Sequence, residues 1–182
     1  MDTALILIDL QNDYFPGGAM ALAGADAAVA NAGRLLAAFR ERGLPLVHIR
    51  HESTRPGATF FLPGTPGAQI HPAVAPLPGE TVFVKHFPNA LRETPLAAHL
   101  RDRGIARLVI AGMMTQMCVD TSTRAAADAG FACTLAHDAC ATRALAFGGR
   151  SVAAEDVQAA YMAALQGAFA KVVASDDAIA AL

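Results

Sequence analysis

Three residues of contrasting chemistry stand at the ends of short apolar runs. Ala4 Leu5 Ile6 Leu7 Ile8 delivers Asp9, and Thr81 Val82 Phe83 Val84 delivers Lys85. Leu108 Val109 Ile110 Ala111 leads through Gly112 Met113 Met114 Thr115 Gln116 Met117 to Cys118, which opens an Ala-rich helical stretch. Ligands of open α/β sheets bind outside the carboxyl ends of the strands, so an acid, an ammonium and a thiol delivered to one edge make a hydrolytic site. A free thiol near pKa 8.5 is mostly protonated at neutral pH and needs a base or a positive field to act as a nucleophile. Asp9 supplies the base. Lys85 stabilises thiolate and carboxylate alike, and the amino end of the helix beginning near Cys118 adds partial positive charge. The thiolate then attacks a carbonyl carbon, Asp9 returns its proton to the leaving group, and a water activated by the same carboxylate hydrolyses the thioester. Singly, each residue has a plainer explanation: a core cysteine, a turn-capping aspartate, a solvated lysine. Cys133 and Cys140 are read in that plainer way, as structural.

The elements that must position these residues follow from the alternation of short apolar runs with helical patterns, the signature of a parallel sheet between helices. Helical spacing of Val29, Ala32, Leu36 and Phe39 predicts a helix from Asp26 to Arg42, stopped by Gly43, with a second strand over Leu44 to Ile49. Thr94 and Pro95 read as the start of a helix that carries Leu96 and Leu100 and closes at Gly104. A helix from Cys118 to Ala129, a strand from Ala132 to Ala136, a long helix from Ala153 to Phe169, a strand over Lys171 to Val173 and a final helix capped by Ser175 complete the pattern. The stretch from Arg55 to Gly79 holds six prolines, among them Pro56, Pro66 and Pro76, and reads as a lid or pocket wall.

The 182 residues fit one domain spanning 1–182. The formal charge of -2, with Lys and Arg scattered, argues against nucleic acid and anionic membranes as partners. No apolar run approaches the roughly 20 residues a bilayer demands, the chain enters its first strand with no basic leader, and three cysteines cannot all pair. A cytoplasmic setting is therefore expected. With 54% hydrophobic and 16% charged residues, the helices present more apolar surface than one sheet covers, so a homodimer or larger homo-oligomer is expected. Ala159, Ala160, Ala163, Ala164 and Gly167 mark the candidate contact helix.

Ile8 Asp9 Leu10 Gln11 Asn12 Asp13 Tyr14 Phe15, Val84 Lys85 His86 Phe87 Pro88 Asn89 Ala90 Leu91, the stretch from Gly112 to Val119 with Thr121 and Thr123 to Ala126, and Asp138 Ala139 Cys140 Ala141 Thr142 resemble the isochorismatase-like cysteine hydrolases. The resemblance covers nearly the whole chain. It implies a three-layer α/β/α sandwich with a mainly parallel sheet of about six strands, Rossmann-like in plan, and a triad of Asp9, Lys85 and Cys118. It also implies hydrolysis of a small amide, carbamoyl compound or lactam; isochorismatase itself cleaves a vinyl ether without needing the cysteine, so Cys118 points to the amidase branch. A cis peptide in the nucleophile turn, here Met113 to Met114, is implied as well and would aim the N–H groups of Met114 and Cys118 at one oxyanion. Phe15, Phe87, Gln116 and Met117 are expected around the substrate, with Gln116 a polar contact.

His48, His51 and His71 invite a metal reading, because nicotinamidases of this family carry Asp-x-His after the second strand. Here the stretch is His48 Ile49 Arg50 His51 Glu52 Ser53, without that pattern. No metal is expected, and His51 is assigned to substrate binding or to a satisfied hydrogen bond. No phosphate-binding glycine loop follows a strand, so no organic cofactor is expected. The alternative function is a silent binding or redox-sensing protein on the same fold, against which the retention of Asp9 and Lys85 argues, since a sensor thiol needs no general base.

Overall fold

The apolar runs become strands in the computed structural model, which describes residues 2–182. β1 (Thr3–Ile8), β2 (Leu46–His51), β3 (Thr81–Lys85), β4 (Arg107–Met113) and β5 (Ala132–Ala141) belong to the main sheet. β6 (Leu145–Phe147) and β7 (Arg150–Val152) form a separate antiparallel hairpin, and β8 (Ala170–Val173) returns to the main sheet. Its order is β3-β2-β1-β4-β5-β8, and every neighbouring pair is parallel. The connections leave β1 toward β2 on one side and reach β4 on the other. The direction of winding reverses there, which opens a crevice at the carboxyl ends of the strands.

Strand residues alternate between two apolar layers. Leu5 and Leu7 face one core with Leu35, Leu36 and Phe39 of α1 (Ala25–Glu41), while Ala4, Ile6 and Ile8 face the other. That second core holds Leu96 and Leu100 of α2 (Leu96–Asp102), Ala126 of α3 (Asp120–Asp128), and Met162 and Leu165 of α4 (Ala154–Leu165). The short α5 (Ser175–Ala180) packs beside α1. The result is the expected three-layer sandwich, in which each fully buried leucine or phenylalanine contributes about 1.5–3 kcal/mol.

Four local expectations are corrected. α4 stops at Leu165 rather than Phe169, because Gln166 takes an extended backbone and Gly167, at φ 83°, donates its N–H to Ala170 O. Ser175 does not cap the last helix; it lies inside it, and the Asp138 carboxylate accepts from both Ser175 N and Ser175 Oγ at 2.7 and 2.9 Å. β5 runs on to Ala141, with the residues from Leu135 to Cys140 set against only Ile110 to Gly112 of β4. The β6–β7 hairpin, absent from the sequence reading, turns on Gly148 and Gly149, both at positive φ as a two-residue hairpin requires. No described helix is long and apolar enough to cross a membrane.

Candidate active site

The carboxyl ends of four adjacent strands meet at one point. Asp9 directly follows β1, β2 ends at His51, β3 ends at Lys85, and β4 leads into the turn Thr115–Val119 that carries Cys118. The Lys85 ammonium is the hub. Its Nζ lies 2.7 Å from Asp9 Oδ2, 3.2 Å from Cys118 Sγ and 2.9 Å from His51 Nδ1. An ammonium has three protons to donate; His51 and Cys118 stand at hydrogen-bond geometry, and Asp9 is held at ion-pair distance. Asp9 and Lys85 are 0% and 1% exposed, so both charges are withdrawn from water and hold each other.

Backbone geometry serves this arrangement. Asp9 sits at φ 51°, a region that costs a non-glycine residue of order 1–3 kcal/mol, at the point where the chain leaves β1. Gly112 lies against Ile8 across the β1–β4 pair, where a Cβ would collide with the Ile8 carbonyl; glycine lets β4 carry the nucleophile turn close beside Asp9. The Met113–Met114 peptide is cis.

The electrostatics follow from burial. Burial pushes the Cys118 thiol up, the Asp9 charge adds to this, and Lys85 opposes it, so the resting sulfur is protonated. Burial also raises Asp9, against the pull of Lys85. Burial works against the Lys85 charge, but Asp9 and Cys118 outweigh it and the ammonium is held above its ordinary value. His51 falls to about 3, from burial first and then from Lys85, His86 and Arg55. It is therefore neutral, and because Nδ1 accepts from Lys85, its proton resides on Nε2.

A cavity of about 310 Å³ opens above this cluster, with Cys118, Met114 and His51 at its base and Tyr14, Phe60 and Met117 among its walls. The Isochorismatase domain model matches residues 3–177, nearly the whole chain. The chain belongs to the isochorismatase family. An uncharacterised member of that family from Bacillus subtilis strain 168, YddQ, is 46% identical over 172 residues, covering 94% of this chain and 96% of the relative. The solved structure of an isochorismatase hydrolase homologue from Oleispira antarctica superposes with a TM-score of 0.94 at 52% identity, covering 98% of this chain and 96% of the other. Maleamate amidohydrolase from Pseudomonas putida KT2440 is 34% identical over 142 residues, which is 70% of this chain and 67% of that enzyme. The protein is an isochorismatase-family hydrolase.

Within this family site, Asp9, Lys85, Cys118, His51, Met114 and Met117 are brought together as the sequence suggested. Three expected substrate residues are not. Phe15 is 5% exposed and stacks on His71, with centroids 4.0 Å apart, inside the core. Phe87 turns away under the Arg92 guanidinium, 3.7 Å from the ring centre, while its neighbours His86 and Pro88 face the cavity. β3 ends at Lys85 and the chain bends over residues 86–89, so strand periodicity no longer decides which side chain faces in. Gln116 is buried and committed to protein partners: its Oε1 accepts from Thr142 Oγ1, and its Nε2 lies 3.5 Å from Met114 Sδ.

The three histidines separate as well. His48 is buried on Glu80, and His71 accepts from Ala73 N. One ligand atom each of Asp9, His51 and Cys118 lies within 4.8 Å of the others, spacing compatible with a metal ion. These residues do not fit one, because the Lys85 ammonium already lies within 3.2 Å of all three ligand groups and would repel a second cation at their centre.

Three positioning residues escaped the sequence reading. Gln11, fully buried, grips the His51 backbone in both directions: Nε2 donates to His51 O at 2.8 Å, and Oε1 accepts from His51 N at 2.7 Å. Its Nε2 also reaches Ala68 O at 2.8 Å, tying the proline-rich loop to β2. Asp13 fixes the same loop by accepting from Phe61 N at 2.6 Å, and it leaves room only for glycine at Gly67. Tyr14, beside it, contributes the ring that Phe15 was expected to give. All three lie in the motif after β1, where the turn geometry of Asn12–Tyr14 decides which side chain faces in.

Proposed function

We propose that this isochorismatase-family hydrolase cleaves a carbon–nitrogen bond of a small amide, carbamoyl compound or lactam through a thioester on Cys118. The observation that carries the reading is the Lys85 ammonium held between Asp9 and Cys118 at 2.7 and 3.2 Å, directly beneath a cavity sized for a small molecule. The likeness to maleamate amidohydrolase supports the amide branch.

The resting thiol is neutral, so Asp9 takes its proton as sulfur attacks the carbonyl carbon. The charge then moves from carboxylate to sulfur to oxyanion while Lys85 stays within reach of both Asp9 and Cys118. The backbone N–H groups of Met114 and Cys118, both at the cavity base, are assigned to the oxyanion. Collapse breaks the carbon–nitrogen bond, and Asp9 gives its proton to the departing nitrogen. Asp9 next takes a proton from water; the hydroxide adds to the thioester, and sulfur leaves and recovers that proton. The sum is amide plus water giving acid plus amine or ammonia.

Intact-mass spectrometry of the protein mixed with a panel of small amides and lactams tests this. The expected result is an acyl adduct on Cys118 that decays with release of amine or ammonia; turnover by a Cys118→Ala variant at the wild-type rate would overturn it.

A further inference from the structure

The charges that face the cavity do not cancel. At its base the Asp9 carboxylate is neutralised by Lys85, Cys118 is protonated and His51 is neutral. Above the base, Arg55 lines the cavity from the proline-rich loop and makes no salt bridge or hydrogen bond through its guanidinium to any described residue. No aspartate or glutamate is among the described residues lining the space. The remaining polar groups there, Ser53, Thr54 and His86, carry no negative charge. Arg55 is exposed, so its guanidinium is solvated at the mouth of the cavity and free to meet an anionic group of a ligand, whereas the partly buried Arg40 and Arg50 are already held by Glu80 and Glu52.

We propose that the substrate carries a carboxylate in addition to its scissile amide, and that Arg55 binds this carboxylate while the amide carbonyl meets Cys118. The proposal rests on the reading of Cys118 as nucleophile and names the substrate class for that site. At about 310 Å³ the cavity is at the small end of ligand sites, so the anionic group and the amide lie only a few bonds apart. The Arg55 charge is felt as deep as His51, whose protonation it opposes together with Lys85 and His86. Arg55 lies outside the secondary-structure elements that hold Asp9, Lys85 and Cys118, so it can set specificity without altering the reacting groups.

Two alkylating reagents of nearly equal size test this without knowledge of the natural substrate. Iodoacetate is anionic and iodoacetamide neutral; each transfers its methylene carbon to sulfur with loss of iodide and a proton. The iodoacetate-to-iodoacetamide rate ratio at Cys118, followed by peptide mass spectrometry, is expected to exceed that of glutathione at least fivefold. It should shrink in 0.5 M salt, fall to the glutathione value in Arg55→Gln and persist in Arg55→Lys. A wild-type ratio equal to that of glutathione, or one unchanged by Arg55→Gln, overturns the anionic substrate and leaves the nucleophile standing. A Cys118 that neither reagent alkylates overturns both.

Discussion

Replacing Lys85 by methionine isolates what the buried ammonium does for the fold. The substitution keeps side-chain length but takes from the Asp9 carboxylate, 0% exposed, the one cation paired with it among the described residues, and neither Oδ1 nor Oδ2 has a hydrogen-bond donor among them. Breaking a buried pair at one partner costs about 3–5 kcal/mol. For a chain of this length each kcal/mol moves Tm by roughly 2–4 °C, so a fall on the order of 6–20 °C is expected. The loss has a pH signature. Burial already raises Asp9, and Lys85 is the group that pulls it down; without Lys85 the folded-state value rises further above the unfolded one. A raised carboxyl contributes stability that is fully present below its unfolded value near 3.9 and lost as pH rises through the folded value. Lys85→Met should therefore recover stability, relative to wild type at the same pH, as pH is lowered from 7.5 toward 5. Adding Asp9→Asn removes the orphaned charge, so the double variant should be more stable than Lys85→Met alone at pH 7.5. Urea unfolding of the wild type, Lys85→Met, Asp9→Asn and the double variant at pH 7.5 and 5.0 decides the matter. A Lys85→Met protein as stable as wild type at pH 7.5, or a double variant no better than the single one, would refute a buried ion pair at the centre of the site.

The other expected outcomes concern the chemistry, its supports and the assembly. Cys118→Ala and Cys118→Ser should each lower amide turnover by at least ~10³-fold while leaving circular dichroism and cooperative unfolding unchanged, because a carboxylate deprotonates a serine hydroxyl far less readily than a thiol. Gln11→Leu strips partners from His51 N, His51 O and Ala68 O; a loss on the order of 2–3 kcal/mol is expected in urea unfolding, with proteolysis increasing within residues 55–70, and an unchanged midpoint would count against the clamp. Dialysis against a chelator should leave activity intact, since the Lys85 ammonium already occupies the space between the groups a metal would need; activity restored specifically by zinc, iron or manganese would contradict this. A homo-oligomer is expected by sedimentation at micromolar concentration: Ala159, Ala160, Ala163 and Ala164 of α4 are exposed rather than packed on the chain's own sheet, and Phe147 at the β6–β7 hairpin tip is 90% exposed. A clean monomer would refute it.

The strand ends were legible because each apolar run terminates in a residue that has no reason to be buried unless another such residue meets it. Asp9, Lys85 and Cys118 are far apart in the chain, and their common position at strand ends, with the family resemblance of the segments that hold them, pointed to contact; the parallel register of β1 with β2 and β4, and of β2 with β3, supplies the rest. What could not be read from strand periodicity is which way a residue faces once the strand has ended. Phe15 and Phe87 were placed by proximity to catalytic segments, yet one step of backbone rotation sends Tyr14, His86 and Pro88 to the cavity instead. Gln116 looked available because it is a polar residue in the nucleophile turn, but Thr142 donates to its oxygen across a contact with no local sequence signal. Asp13 and Gln11 illustrate the same limit from the other side. Their partners lie 40 or more residues away, His51 at the end of β2 and Phe61, Gly67 and Ala68 in a loop without periodicity, so a turn residue and a motif residue became visible as the two anchors of the cavity wall only when the chain was folded. That wall carries Arg55, so the residue proposed to choose the substrate is held in place by two side chains that never touch it, and a Gln11→Leu protein should lose its preference for iodoacetate along with the order of its loop.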